Sequence, residues 1–169
     1  FDFSDINEIR QKITNPMLEK SYKTMANSAY SYLNNPSNVH NRQKSGGRVL
    51  NKVICDLAIT GYINKDMRYI NKAIDYMMGS ANAYSAIDYK NMNGNIALGD
   101  AAHAYAIGYD WLYPFMTQSQ RIQIEELLDD LIEEIRVLST TTSAGTLPAI
   151  SSNHNSVSVG GMGLAALIR

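Results

Sequence analysis

The chain has 169 residues, 45% of them hydrophobic, which is enough for one domain with a substantial core. Charged residues make up 18% and the formal net charge is -1, so the basic excess typical of nucleic-acid-binding proteins is absent from the sequence. No apolar run approaches the roughly 20 residues of a membrane-spanning helix. We therefore expect neither a nucleic-acid partner nor a membrane partner.

The spacing of apolar residues is helical almost throughout and predicts seven helices. A short helix comes first. Pro16 then starts the second helix, because proline fits the first helical position. The third helix is predicted over about 48–61 with Gly61 as its C-terminal cap, and the fourth follows Asn64.

Further along, the polar segment GSANAYSAIDYKNMNGN at 79–95 predicts a long loop before a fifth helix over 97–112. Thr117 and Gln120 have the spacing of a capping box for the sixth helix, and the seventh begins around Asn155. No segment gives a convincing strand. Helices joined alternately by short and long loops predict an all-α fold of antiparallel helical hairpins.

Three glycines stand in the last predicted helix, VGGMGLAALIR. Gly160, Gly161 and Gly163 each cost a helix about 1 kcal/mol relative to alanine, which is tolerated where neighbouring backbones come close. Because this segment is apolar on nearly all sides, we expect the helix to be buried all round, with Gly160 and Gly161 against its neighbours. The last residues carry no stop signal, so we expect the natural protein to continue and residues 1–169 to self-associate through bare apolar surface.

A polar cluster, Asn153, His154 and Asn155, precedes the last predicted helix. Free backbone N–H groups and the helix dipole favour an anion at such a position, and amide and imidazole groups add neutral donors. The cluster therefore fits a carboxylate site. The alternative is a plain helix cap at Asn155 or Ser156 beside a loop histidine.

The segments YDWLYPFMTQSQRIQIEELL and SSNHNSVSVGGMGLAALI resemble the N-terminal helical domain of the heparinase II/III-like polysaccharide lyases, a group with heparin, heparan and alginate lyases. The resemblance covers roughly residues 46–169. The residues that carry it are 109–112 together with Asn153, His154, Gly160, Gly161, Leu164 and Ala165. It implies that residues 1–169 are the N-terminal portion of an incomplete (α/α) toroid, with later helices and β-sandwich domains missing.

The resemblance also implies an activity. Such enzymes cleave acidic polysaccharides by β-elimination next to a uronic acid, leave an unsaturated uronosyl end, and need no cofactor in this reading. By resemblance, Asn153 would neutralise the uronate carboxylate, and His154 would act as base or as a second carboxylate-binding group. The catalytic tyrosine would lie beyond residue 169, so this chain alone would be inactive. The implied location is secreted or periplasmic.

Three further residues are candidates for sugar contacts. His103 and Trp111 lie on the fifth predicted helix, and Arg48 closes a basic loop that also holds His40, Arg42 and Lys44. Each also has a structural explanation, as a satisfied core histidine, a packing tryptophan or an ordinary exposed basic residue. No metal-ligand spacing is present in the sequence, and we expect no metal.

Two other functional classes remain open. A glycoside hydrolase or epimerase on a similar toroid would need paired carboxylates in one cleft, and Asp88, Asp100 and Asp110 are available. On one helix, however, Asp100 and Asp110 would project about 80° apart. The other class is a non-catalytic helical module that binds glycan or protein.

Overall fold

The computed structural model describes residues 5–34, 47–140 and 153–169, apart from the side chains at 93–95, 139–140 and 153–155. This part of the chain forms seven α-helices and one 3-10 helix, without a strand, so the all-α prediction is confirmed for it. In chain order the elements are α1 (Asp5–Lys12), α2 (Pro16–Asn34), α3 (Gly47–Asn64), α4 (Met67–Ala83), α5 (Ala86–Leu112), the 3-10 helix (Tyr113–Phe115), α6 (Gln118–Thr140) and α7 (Asn153–Ile168).

Two predicted helix starts are confirmed and one predicted helix end is wrong. Pro16 is the first residue of α2. Thr117 and Gln120 form the capping box, with the Thr117 N–H 2.8 Å from Gln120 Oε1 and the Gln120 N–H 3.3 Å from Thr117 Oγ1. Gly61 does not end α3, because the positive φ of 56° falls on Lys65. Gly61 instead allows a close approach, since an added Cβ would lie 2.9 Å from the Ile70 side chain.

The predicted loop at 79–95 is also wrong, because α4 and α5 are interrupted only at Tyr84 and Ser85. Ser85 caps α5: its Oγ accepts the Asp88 N–H at 3.3 Å, and the Asp88 carboxylate accepts the Ser85 N–H at 2.8 Å. Asp88 is thereby held at the start of the helix. The polar composition suggested a loop, yet its side chains satisfy helix-end groups that would otherwise need water.

The helices α3, α5 and α7 run in the same direction. Gly47 at the start of α3 lies against Ala101 near the middle of α5, and the Tyr62 hydroxyl near the end of α3 donates to the Trp111 carbonyl near the end of α5. For α7, the contact between Gly161 and Gly99 shows that residue 161 lies beside residue 99 of α5.

A second contact shows where the C-terminal end of α7 lies relative to α5. The Arg169 guanidinium lies 3.2 Å from the Glu125 carboxylate, which also accepts the hydroxyl of Tyr109 near the end of α5. Gly161 of α7 and Arg169, the residue directly after this helix, therefore follow the same order along α5 as residues 99 and 109. This establishes that α7 is parallel to α5.

The helices α4 and α6 run the opposite way. Lys90 and Tyr109 of α5 pair with Glu134 and Glu125 of α6, respectively, which makes these two helices antiparallel. The helix α4 is likewise antiparallel to α3, since Ile70 near the start of α4 lies beside Gly61 near the end of α3. The chain from α3 to α7 thus has a parallel row of three helices, α3, α5 and α7, with α4 and α6 packed against it.

The central helix is α5, which packs against α3, α4, α6 and α7. Its buried side chains are mostly alanines and glycines, which let the neighbouring helices approach closely. The prediction that α7 is buried all round is wrong, because only its α5-facing side is buried. Gly161 is buried as expected, whereas Gly160 is exposed and an added Cβ there would meet no atom within 4 Å.

No helix in the described ranges is both long and apolar enough to cross a bilayer.

Candidate functional site

Solvent reaches the second half of α5 along a single stripe. Between residues 96 and 110 the side chains that are not fully buried are Ile96, Asp100, His103, Ile107 and Asp110. Their spacing of four and three residues places them on one face. At 100° per residue, that face lies between the contact with α7 at Gly99 and the contact with α3 at Ala101. We call this stripe, with the flanking sides of α3 and α7, the α5 groove.

A charged cluster lies in the α5 groove where α3 begins. Arg48 is in the first turn of α3 rather than in a loop, and its Nε lies 3.3 Å from Asp100 Oδ2. The guanidinium side chain is 69% exposed, whereas the Asp100 side chain is only 14% exposed. His103, one turn after Asp100, is half-buried and close enough to interact electrostatically with it. The cluster thus presents a cation to solvent above a sheltered carboxylate.

Close backbone packing creates this arrangement. A Cβ at Gly47 would lie 2.1 Å from the Ala101 backbone nitrogen, so only glycine allows α3 to start against α5 at this level. The first turn of α3 consequently holds Arg48 over Asp100. No local pattern in the sequence links Arg48 to Asp100, so the pair was not predicted. The available signal was the Gly47-Arg48 start of one helix and the Gly99-Asp100 pair inside another.

Burial raises the pKa of the Asp100 carboxyl, and the nearby Arg48 guanidinium opposes part of that rise. The folded protein therefore holds a proton on Asp100 to higher pH than the unfolded chain does. By linkage, the contribution of Asp100 to the free energy of unfolding falls as pH rises from its ordinary pKa through the raised value. Below the raised pKa, the Arg48 guanidinium faces a neutral carboxyl group.

The other wall of the α5 groove is α7. An added Cβ at Gly99 would lie 2.6 Å from the Ser158 Cα, and one at Gly161 would lie 2.2 Å from the Gly99 carbonyl oxygen. The two helices therefore touch backbone to backbone at this level. The α5 stripe beside this contact is partly exposed.

Asn153, His154 and Asn155 form the first residues of α7, and their side chains lie outside the described set. With α7 parallel to α5, the eight residues from 161 back to 153 correspond to about 12 Å along the axis. His103 lies about 6 Å from Gly99 in the other direction. The Asn-His start of α7 and the Arg48–Asp100–His103 cluster are thus at different levels along the two helices.

Trp111 is separated from His103 by about 12 Å along α5. It is half-buried, its ring packs against the hydrophobic core, and its carbonyl accepts the Tyr62 hydroxyl. The structure does not bring Trp111 next to the charged cluster. Arg48 and His103 are brought together through Asp100, and Trp111 lies beyond the last stripe residue, Asp110.

The three carboxylates considered for hydrolysis do not pair. Asp88 is engaged in the capping box of α5, and Asp100 faces Arg48. Asp100 and Asp110 are about 15 Å apart along the helix axis, beyond the roughly 6.5–9.5 Å of inverting glycosidases. This spacing gives no paired acid and base on α5.

Within the described ranges, no group of three or more His, Cys, Asp or Glu side chains is arranged to hold a metal ion. Comparisons with known proteins give no further assignment of the groove: no family model, curated protein or solved structure matches this chain.

Proposed function

We propose that the α5 groove binds an acidic polysaccharide and that the chain is the N-terminal helical part of a polysaccharide lyase, as the sequence resemblance implies. The observation that carries the proposal is the partly exposed α5 stripe, where the exposed guanidinium of Arg48 on α3 lies beside the Asp100 carboxylate and the half-buried His103 imidazole. Guanidinium groups suit carboxylate ligands because of their planar, multiply donating geometry.

The helix arrangement supports the same proposal. In an (α/α) toroid, hairpins follow one another around a ring, so that alternate helices run parallel in one layer and the helices between them form the other. The row of α3, α5 and α7 with α4 and α6 against it fits a segment of such a ring. The α5 groove would then face the inside of the ring, where a polymer could lie along it.

The proposed reaction is β-elimination. A base removes the C5 proton of the uronic acid, the electron pair forms the C4–C5 double bond, the C4–O bond breaks, and the leaving oxygen takes up a proton. Asn153 would stabilise the carboxylate as charge develops on it, with His154 as base or second donor. The tyrosine that protonates the leaving group is proposed to lie after residue 169, and the protein is proposed to act in the periplasm or outside the cell.

We predict opposite effects for two substitutions in the cluster. Arg48→Ala should weaken binding of a uronic-acid oligosaccharide by about three- to fivefold, the scale of one exposed ion pair. Asp100→Asn should strengthen binding, because it frees the guanidinium from its internal partner. Lowering the pH toward the raised pKa of Asp100 should narrow the difference between wild type and Asp100→Asn. Titration calorimetry with oligogalacturonate, oligoalginate and hyaluronan fragments measures all three effects.

Arg68→Ala is the matched control for this experiment. Arg68 is also exposed and also paired with one aspartate, Asp66, but it lies on α4 away from the α5 groove. Arg68→Ala changes the net charge by the same amount as Arg48→Ala. If Arg68→Ala weakens binding as much as Arg48→Ala, or if Asp100→Asn weakens it, the oligosaccharide does not bind at this cluster.

Turnover separates the proposed reaction from its alternatives. The natural protein that carries this chain, incubated with the same polymers, should generate ultraviolet absorbance from the new C4–C5 double bond conjugated to the carboxylate. New reducing ends without that absorbance would indicate a glycoside hydrolase, and a changed uronate stereochemistry without cleavage would indicate an epimerase. Binding without any turnover would favour a non-catalytic glycan-binding module.

We also propose that copies of the chain associate through the outer face of α7. Val159 is 46% exposed and Leu167 is 85% exposed on that face, with Gly160 and Gly163 between them. Exposed apolar surface of this kind favours association.

A further inference from the structure

An open cavity lies at the opposite end of α3 from Arg48. It has a volume of about 350 Å³ and is formed by α1, the end of α3, the start of α4 and the 3-10 helix. Tyr62, one of the lining residues, comes fourteen positions after Arg48. This spacing corresponds to about 21 Å along α3. The cavity is therefore distinct from the α5 groove.

The floor of the cavity is apolar and partly aromatic. The Tyr62 and Phe115 rings lie 5.9 Å apart and are tilted by 53°, and Ile6 and Ile70 complete the apolar wall. Met67 stands at the rim with 46% of its surface exposed. A cavity of this size, mostly apolar with a few polar groups, is typical of sites for small organic molecules.

Among the described residues, the charged side chains that line the cavity are positive. They are Arg10 and Lys65, and no described carboxylate side chain lines the cavity. The neighbouring acids Glu8 and Asp66 are engaged with Lys12 and Arg68, respectively. Within the described ranges, neither Arg10 nor Lys65 forms an ion pair with a carboxylate. The cavity thus combines an apolar basin with two cationic side chains that form no ion pair among the described residues, while Asp110 of α5 is close enough to interact electrostatically with the Tyr62 hydroxyl.

Arg10 is fixed in place by the end of α3. Its Nε donates to the Ile63 carbonyl at 2.7 Å, one Nη donates to the Tyr62 carbonyl at 2.5 Å, and the other Nη donates to the Asn7 side chain at 3.0 Å. A guanidinium has five N–H groups, so two remain for a ligand. Because its position is already set, binding a ligand would cost little side-chain entropy.

From this combination we propose that the cavity binds a small amphipathic carboxylate, with its aromatic or aliphatic body against Tyr62, Phe115 and Ile70 and its carboxylate near Arg10 and Lys65. The apolar basin distinguishes this ligand class from uronic acids, whose surfaces carry hydroxyl groups. The site is independent of the proposed polysaccharide groove.

Titration calorimetry with three probes tests the ligand class. We expect 3-phenylpropanoate to bind, its uncharged amide to bind about tenfold more weakly, since one charge-assisted contact is lost, and D-glucuronate to show no comparable binding. Equal affinity for the acid and the amide, or no heat from the acid at millimolar concentration, would overturn the proposal. Equal affinity for glucuronate would overturn the role of the apolar basin.

Two rim substitutions locate the ligand without risk to the fold. Met67→Glu adds a negative charge at the exposed first position of α4, where an acid suits the helix dipole, and should weaken 3-phenylpropanoate binding at least tenfold. Met67→Gln is the neutral control and should keep most of the affinity. Lys65→Gly removes one cation at a residue with φ 56°, a conformation that glycine adopts without strain, and should weaken binding severalfold.

Arg48→Ala separates this site from the α5 groove and should leave 3-phenylpropanoate binding unchanged. Loss of binding in Arg48→Ala, or full binding in Met67→Glu, would place the ligand elsewhere and contradict the proposal. Neither result bears on uronic-acid binding, which is measured separately.

Discussion

At the residue scale, Gly160 and Gly161 are adjacent in the chain but have opposite surroundings. Gly160→Ala should raise the free energy of unfolding by up to about 1 kcal/mol, because the new methyl meets no atom within 4 Å and alanine is the better helix former. Gly161→Ala should lower it by about 1–3 kcal/mol, because the new Cβ would lie 2.2 Å from the Gly99 carbonyl oxygen. Urea denaturation followed by circular dichroism measures both.

Gly163→Ala should raise the free energy of unfolding as Gly160→Ala does, because an added Cβ at Gly163 also meets no atom within 4 Å. Equal responses of Gly160→Ala and Gly161→Ala would contradict the packing of α7 on α5.

The sequence could predict that a glycine of this helix meets a neighbouring backbone, but not which one. A helix that is apolar on nearly all sides has no polar face to show its orientation. The prediction was therefore correct for Gly161 and wrong for Gly160. The partner glycine, Gly99, lies 62 positions earlier in the chain (161 minus 99), and no local pattern connects the two.

At the element scale, the sequence pattern did not predict the first half of α5. Residues 79–95 are rich in Asn, Ser and Gly, which favour turns when exposed. In the fold, Ser80, Tyr89 and Tyr105 bury their hydroxyls together, with the Tyr89 oxygen 2.9 Å from each of the other two. These groups satisfy each other only after α4 and α5 have packed, so the reason for the helix is tertiary.

We predict that Tyr89→Phe lowers the free energy of unfolding by about 1–3 kcal/mol, because it leaves the buried Ser80 and Tyr105 hydroxyls without their common partner. Chemical denaturation gives the value. Tyr30→Phe is the control, since that side chain is 63% exposed and the change should stay within about 0.5 kcal/mol. A loss in Tyr89→Phe no larger than that of the control would show that the hydroxyl cluster does not stabilise the packing of α4 on α5.

At the scale of the whole molecule, the outer face of α7 is the main expected contact between copies. Ser156, Val159, Gly160, Gly163 and Leu167 fall within roughly 120° of the helix circumference and all are at least partly exposed. We predict that the wild-type chain sediments as a concentration-dependent mixture of monomer and larger species, and that Leu167→Glu shifts it to monomer. Sedimentation velocity over a range of concentrations tests this.

Leu18→Glu introduces the same charge at another exposed leucine, 44% exposed on α2, and should not change the association. A monomeric wild type would contradict the proposal. An equal effect of both substitutions would show that the contact between copies does not involve the outer face of α7.

The candidate site was only partly accessible from the sequence. Arg48 and His103 could be selected by residue type, and the structure places both beside Asp100. Their proximity depends on Gly47 meeting Ala101, a contact between residues more than fifty positions apart. The roles of Asn153 and His154 remain predictions from the resemblance, because residue type and helix position alone fit a cap as well as a carboxylate site.

The parallel row of α3, α5 and α7 has an electrostatic consequence. Parallel helices add their dipoles, whereas neighbouring antiparallel helices largely cancel them. Arginines lie at the negative ends of α3 and α5, Arg10 on the carbonyls of α3 and Arg121 on the Tyr113 carbonyl after α5, whereas Arg169 after α7 is paired with Glu125 and Asp129. The positive end of α5 holds the Asp88 carboxylate of its capping box, whereas the positive end of α3 lies next to Arg48. An anion that approaches the α5 groove would meet this end of α3, so its association should be faster at low ionic strength than at high.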